Sequence, residues 1–271
     1  MSESVWHEPV DVSVPSAARM YDWLLGGRNN FPSDRAACEQ LLEIAPSTKE
    51  LALNNRAFLR RVVREIAQRY GIRQFIDHGS GLPVQDNVHQ VAQAVAPESR
   101  VVYVDNDPIV LSYGRALLDE NPNVAIVGAD MTDTGAVHGD GRVRELIDFT
   151  EPVAALFVSV LHCVPDKADP AGMIRRTVER LAPGSVVVIC QLVSERAEIR
   201  DAVTRLMEEQ TGGRWGRVRT QEEVRGYFEG LRIEEPGLLD VTDWLPDRDP
   251  RFVRRQLTDE WIEYGGLALV P

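Results

Sequence analysis

Phe75-Ile76-Asp77-His78-Gly79-Ser80-Gly81-Leu82-Pro83 runs from an apolar pair through an acid into two glycines one residue apart. That pattern predicts a strand that ends in a tight turn. In an open α/β sheet the ligand crevice lies beyond the carboxyl ends of the strands, so this turn would face it. Glycines at 79 and 81 let the backbone take positive φ and approach a ligand closely. The dinucleotide fingerprint G-x-G-x-x-G needs a third glycine at position 84, where this chain has Val84. Asp77 argues the same way, because a carboxylate beside the turn repels a pyrophosphate but can hold an ammonium. The turn suits a cationic sulfonium cofactor better than a dinucleotide.

The same pattern repeats further along. Apolar runs at Val101–Asp105, Val124–Asp130, Val153–Leu161 and Ser185–Cys190 are uniform rather than alternating, as suits strands covered on both faces. Helical spacing lies between them over 83–95, 107–119, 141–148 and 168–182. Strand alternating with helix implies a parallel, doubly wound α/β sheet. Upstream, 16–26 and 33–44 read as short helices separated by Gly26-Gly27 and Pro32. A longer helix begins at a Ser47-x-x-Glu50 cap, carries Leu51, Phe58, Leu59, Val62, Val63 and Ile66 at helical spacing, and stops at Gly71. Downstream come helices near 194–210 and 220–229, a strand near 231–235 and a last apolar run over 264–270.

With 271 residues, 44% of them hydrophobic, the chain can bury one substantial core. Its 42 acidic and 30 basic residues give a net charge of -12, a surface that repels phosphate backbones, so nucleic acid is a poor partner. Cys38, Cys163 and Cys190 are an odd count without paired spacing and read as reduced, packed thiols. His7, His78, His89, His138 and His162 are scattered, and no Cys/His cluster has metal spacing, so no metal is expected. The first residues hold no basic leader or apolar stretch, and nowhere do eighteen uncharged apolar residues follow one another. A cytoplasmic protein without a membrane segment is expected.

The strand ends supply the candidate cofactor contacts. Asp105, with Asn106 beside it, falls where a carboxylate accepts both ribose hydroxyl hydrogens. Asp130 can take an adenine amino group while Met131 lies on the ring face. The turn contributes Asp77, Gly79, Ser80 and Gly81. Each strand-end acid has a second reading as a helix N-cap, and for Asp107 that reading is the favoured one.

Together these segments resemble class I S-adenosylmethionine-dependent methyltransferases, and more closely an actinobacterial family of largely uncharacterised members. The closer resemblance rests on the block from Ser16 to Phe31 (SAARMYDWLLGGRNNF), Asn54–Arg61 (NNRAFLRR), Gly81-Leu82-Pro83, Val104-Asp105-Asn106-Asp107-Pro108 and Tyr264-Gly265-Gly266, and spans essentially the whole chain. It implies a Rossmann-like seven-stranded methyltransferase sheet, which two strands late in the chain would complete. The domains would be an N-terminal helical lid over 1–70 and an S-adenosylmethionine-binding core over 71–271. The lid would close over the crevice, with Arg19, Tyr21 and Asn30 offered to the cofactor. His78 departs from the aliphatic residue such families have there, and would face either the sheet packing or the pocket.

Methyl transfer is an in-line displacement at a sulfonium, for which the protein mostly aligns the partners and excludes water. The segment Val158-Ser159-Val160-Leu161-His162 would bring Ser159 to the cofactor and His162 to the place where acceptors bind in this fold. His162 is the candidate general base; a structural histidine at a strand end is the competing reading. No [D/N]-P-P-[Y/F] follows the fourth strand and no Pro-Cys pair occurs, which directs expectation to a small-molecule acceptor. A dehydrogenase lacks its third glycine here. A non-catalytic S-adenosylmethionine-binding regulatory or partner protein is the other alternative.

Overall fold

The computed structural model of the chain describes residues 10–84, 86–118, 121–245 and 258–271; His7 lies outside them. Eight strands form one sheet: β1 (Gln74–His78), β2 (Arg100–Asp105), β3 (Val124–Gly128), β4 (Ala154–Val158), β5 (Val186–Val193), β6 (Arg232–Ile233), β7 (Leu239–Asp240) and β8 (Ile262–Leu269). The order is β3-β2-β1-β4-β5-β8-β6, with the first five parallel and β8 antiparallel to β5. β5 takes one edge of β8 along its whole length. β6 and β7 therefore lie end to end on the other edge, against 268–269 and 264–265. Seven positions across the sheet are thus filled by eight strands.

The uniformly apolar runs are strands because both faces are covered. Phe75, Val101, Tyr103, Leu156 and Val188 face one core, while Ile76, Val102, Val104, Phe157 and Ile189 face the other, as the period of two requires. The first core is covered by α3 (Thr48–Glu65), α4 (Val88–Val95) and α5 (Pro108–Leu118). α6 (Thr134–Gly139), α7 (Gly141–Leu146), α8 (Pro170–Val178) and α10 (Gln221–Gly226) cover the second. A third cluster joins α1 (Ala17–Leu24) and α2 (Pro32–Ile44) to α9 (Ala197–Gln210) through Met20, Leu24, Leu41, Val203 and Met207.

The long helix ends as expected, widening to π-helical pairing over Ile66–Tyr70 before Gly71 at φ 67°. Its start differs from the expectation. Ser47 makes no side-chain cap; its amide and hydroxyl both donate to Glu260 Oε1, at 2.8 and 2.7 Å. A carboxylate 213 residues away outcompetes Glu50 because it accepts both donors at once and is itself buried. The helix α6 and the strand β7 had no counterpart in the sequence reading: the six residues Thr134–Gly139 contain two glycines, and β7 is two residues long.

His78 belongs to the sheet packing. It is buried, its ring stacks on Phe157 at 4.3 Å, and its Nδ1 faces the Leu156 carbonyl at 3.2 Å. Burial holds the imidazole neutral, its pKa pushed down to about 3. His89 similarly packs on Tyr103. All three cysteines are free thiols. No helix among the described residues is long and apolar enough to cross a membrane.

Candidate functional site

The carboxyl ends of β1 to β4 open onto one cavity of about 810 Å³, within the range of pockets for small molecules. The turn after β1 forms its floor. Gly79 (φ 69°) and Gly81 (φ 66°) both take left-handed backbone. At Gly79 a Cβ would also stand 2.2 Å from Val160 Cγ2, so the turn is wedged against the segment after β4.

Asp105 is the hub of this floor. Its Oδ2 accepts from the Gly81 amide at 2.8 Å and its Oδ1 from the Asp107 amide at 2.9 Å. An ionised carboxylate offers about four acceptor positions. Two remain for a diol. Burial raises its pKa, and those backbone hydrogen bonds oppose the rise. Asp107 does the capping anticipated for it: Oδ1 accepts from the Ile109 amide at 2.8 Å, and Oδ2 takes the Ser16 hydroxyl at 2.6 Å. Asp130 is exposed, and its Oδ1 accepts from the Thr132 amide and hydroxyl. It is not the cap of the next helix, which is Asp133.

Asp77 is buried on the cavity wall, and burial pushes its carboxyl up to about 7, with Asp105 adding to the rise and Arg56 opposing it. The folded chain therefore holds a proton that the unfolded chain releases near pH 4. The stability that Asp77 contributes is present in acid and is lost as pH rises from about 4 to about 7. Asp77→Asn is accordingly expected to gain stability over wild type by about 2 to 3 kcal/mol between pH 5 and pH 8, read from urea midpoints. A wild-type to variant difference that is flat with pH would refute this origin.

The cover comes from the N-terminal arm and α1. Val10, Val14, Ser16, Arg19, Met20, Tyr21 and Leu24 all line the cavity. Arg19 is held by Asp34 at 3.0 Å, bonds the Val14 carbonyl and lies over the Phe31 ring. Tyr21 donates to Asn55 Oδ1 at 2.7 Å. Asn30 does not join them: its Nδ2 donates to Asp22 Oδ2 and the Gly27 carbonyl, and its Oδ1 accepts from Arg35. Asp22 gathers the amides of this turn inward, and neither residue lines the cavity. Of the candidate residues, Asp77, Gly79, Ser80, Gly81, Asp105, Asn106, Asp130, Met131, Ser159, His162, Arg19 and Tyr21 surround the one space.

His162 lies on the wall, 4.9 Å from Trp215 between ring centroids. Burial, aided by the charge of Arg219, pushes its pKa down to about 3. An imidazole so reluctant to take a proton is poorly matched to work as a base near neutrality. The wall residue that sequence reasoning missed is Glu263 on β8. It is buried, its Oε1 accepts from the Ser159 hydroxyl, and its Oε2 has no partner among the described residues. Burial raises this carboxyl to about 8. The available signal was a lone acid beside Trp261-Ile262 at the start of an apolar strand. Part of the lining is apolar, with Leu192, Met207, Trp215 and Trp261 in one cluster. No group of three or more His, Cys, Asp or Glu residues that could hold a metal ion occurs among the described residues.

Three buried acids, a glycine floor and an apolar chamber fit a ligand that carries a diol and net positive charge beside a hydrophobic second ligand. A profile of the S-adenosyl methyltransferase family matches residues 4–271. A solved protein of Thermobifida fusca YX, designated a methyltransferase candidate, is 40% identical, with 98% of this chain and 99% of that chain covered and a TM-score of 0.87. A DUF574 family protein from Streptomyces avermitilis MA-4680 is 36% identical over 97% of this chain and 100% of that one, with a TM-score of 0.86. Mitomycin 7-O-methyltransferase, at 16% identity and a TM-score of 0.52 over 95% of this chain and 74% of its own, shares the fold. No curated protein matches the chain.

Proposed function

The chain belongs to the S-adenosyl methyltransferase family and is an S-adenosylmethionine-dependent methyltransferase, and from that premise we propose that its acceptor is a small molecule bound in the apolar part of the same cavity. The observation that carries this reading is closure. The arm and α1 cover the strand ends, and the Ser16–Asp107 hydrogen bond ties that cover to the cofactor-side loop. A partly covered cavity of about 810 Å³ has room for a cofactor and a small partner but not for a folded protein or a duplex. The acidic surface adds a second reason against nucleic acid.

In this reading Asp105 holds the ribose diol with the two acceptor positions left free by Gly81 and Asp107, and Asp77 holds the ammonium of the methionine moiety. Asp130 and Met131 stand at the base, and Ser80, Asn106 and Ser159 complete the walls. Within 1–70, the part that acts as a lid is the arm with α1. α3, by contrast, carries Phe58, Val62 and Ile66 into the core of the sheet. When bound, the cofactor supplies an electrophilic methyl group. The protein aligns the acceptor with it and keeps water out. No observation favours a non-catalytic role.

S-adenosylmethionine, or its demethylated product, is expected to stabilise the fold by about 2.7 kcal/mol at a hundredfold excess over the dissociation constant, read as a thermal shift. Radiolabel from the methyl group should then pass to a compound in a small-molecule extract. Label on protein or RNA instead would refute the acceptor class, and a shift with a dinucleotide alone would refute the site.

A further inference from the structure

We propose that Glu263 is the proton acceptor of the transfer, so that the methyl acceptor is one that must lose a proton, a hydroxyl or an N–H. This rests on the reading of the cavity given above. Glu263 lines the cavity from β8, where it pairs with Leu192 on β5 and takes the Ser159 hydroxyl. Ser159 takes left-handed backbone at φ 54°, rare for a residue with a side chain, and its hydroxyl binds one carboxyl oxygen. A chain of contacts fixes the rest: Tyr21 donates to Asn55, and Asn55 Nδ2 donates to Cys190 Sγ at 3.3 Å. The other carboxyl oxygen has no hydrogen-bond partner among the described residues, and a buried polar atom without one is costly unless a ligand supplies it.

The charges around Glu263 indicate how it would switch. The groups facing it are Ser159, Cys190 on β5, Asp240 on β7, Tyr21 on α1 and Cys163. None is a cation. With burial and Asp240 both opposing ionisation, Glu263 keeps its proton near neutral pH, its carboxyl raised to about 8. A sulfonium brought into the cavity adds a further positive charge and drives that proton off. As the acceptor oxygen or nitrogen forms its bond to the methyl carbon, the carbon–sulfur bonding pair stays with sulfur. The acceptor's proton passes to Glu263. The sulfur is then neutral, so Glu263 regains its affinity for a proton at the moment one is released.

The test needs no known acceptor, because S-adenosylmethionine and its demethylated product differ in that one charge. Calorimetry at pH 7 in two buffers of different ionisation enthalpy counts the protons released on binding. Wild type is expected to release most of one proton more with S-adenosylmethionine than with the product, since any release from Asp77 is common to both. Glu263→Gln should bind the product within about threefold of wild type and lose the difference. Ser159→Ala, which removes the hydroxyl that favours the ionised form, should move the pH at which the difference appears upward. Equal proton release from the two ligands in wild type, or a difference that survives in Glu263→Gln, overturns the proposal while leaving the cofactor site standing. If neither ligand binds, the reading of the cavity falls, and this inference with it.

Discussion

Gly265→Ala is expected to destabilise the fold by more than about 3 kcal/mol, a fall in melting temperature of roughly 10 °C. An added Cβ would lie 1.9 Å from the Ile189 carbonyl oxygen and 2.6 Å from Cys190 Cα. Both are backbone atoms of β5, so no rotamer change relieves the clash. The strands could separate only by breaking the ladder that pairs Cys190 with Gly265 and seven neighbouring positions. Gly141→Ala is the control: nothing lies within 4 Å of its added Cβ, and it begins α7, where alanine is at least as good a helix former. A circular-dichroism melt compares the two. A Gly265→Ala melting point within about 2 °C of wild type would show that the strands yield more easily than their pairing implies.

Asp105→Ala is expected to weaken cofactor binding a hundredfold or more, measured by calorimetry with the demethylated product. Two hydrogen bonds to a charged group are worth about 1.5 to 3 kcal/mol each, and a loss of about 2.8 kcal/mol is a hundredfold in affinity. Stability should fall as well, which the sequence alone gave no reason to expect. The same carboxylate holds the Gly81 and Asp107 amides, so the empty protein loses the tie between two loops. Asp105→Asn keeps an acceptor oxygen for one of the two amides and should recover part of the stability but little of the affinity. Binding by Asp105→Ala within threefold of wild type would place the ribose elsewhere.

The strands and the turns that line the cavity at their ends were legible because their signals are local. A uniform apolar run such as Val186–Val193 reads as a strand buried on both faces, and Asp77 and Asp105 stand next to the turns they serve. What the sequence did not yield depends on partners far along the chain. Ser47 looked like a cap because Glu50 is near, whereas Glu260 takes it. Asn30 looked available until Asp22 and Arg35 claimed it. His162 does reach the cavity wall, but its proton affinity is set by surroundings that no local pattern encodes. Glu263 was passed over because an acid entering an apolar strand reads as a strand end, and only the fold shows it buried against Ser159 on the cavity wall.

The placement of β8 fixes an order of events during synthesis. This strand is inserted between β5 on one side and β6 and β7 on the other, so β5 has an open edge until residue 269 has emerged from the ribosome. At about 5 to 20 residues per second, the parallel strands can be complete for several seconds while β5, buried along its whole length in the finished sheet, still presents unpaired backbone and apolar side chains. Such an edge invites pairing with another chain. The same late strand brings Glu263 to the cavity wall and follows Glu260, which anchors the start of α3. The nascent protein therefore exposes this edge before Glu263 has joined the cavity wall.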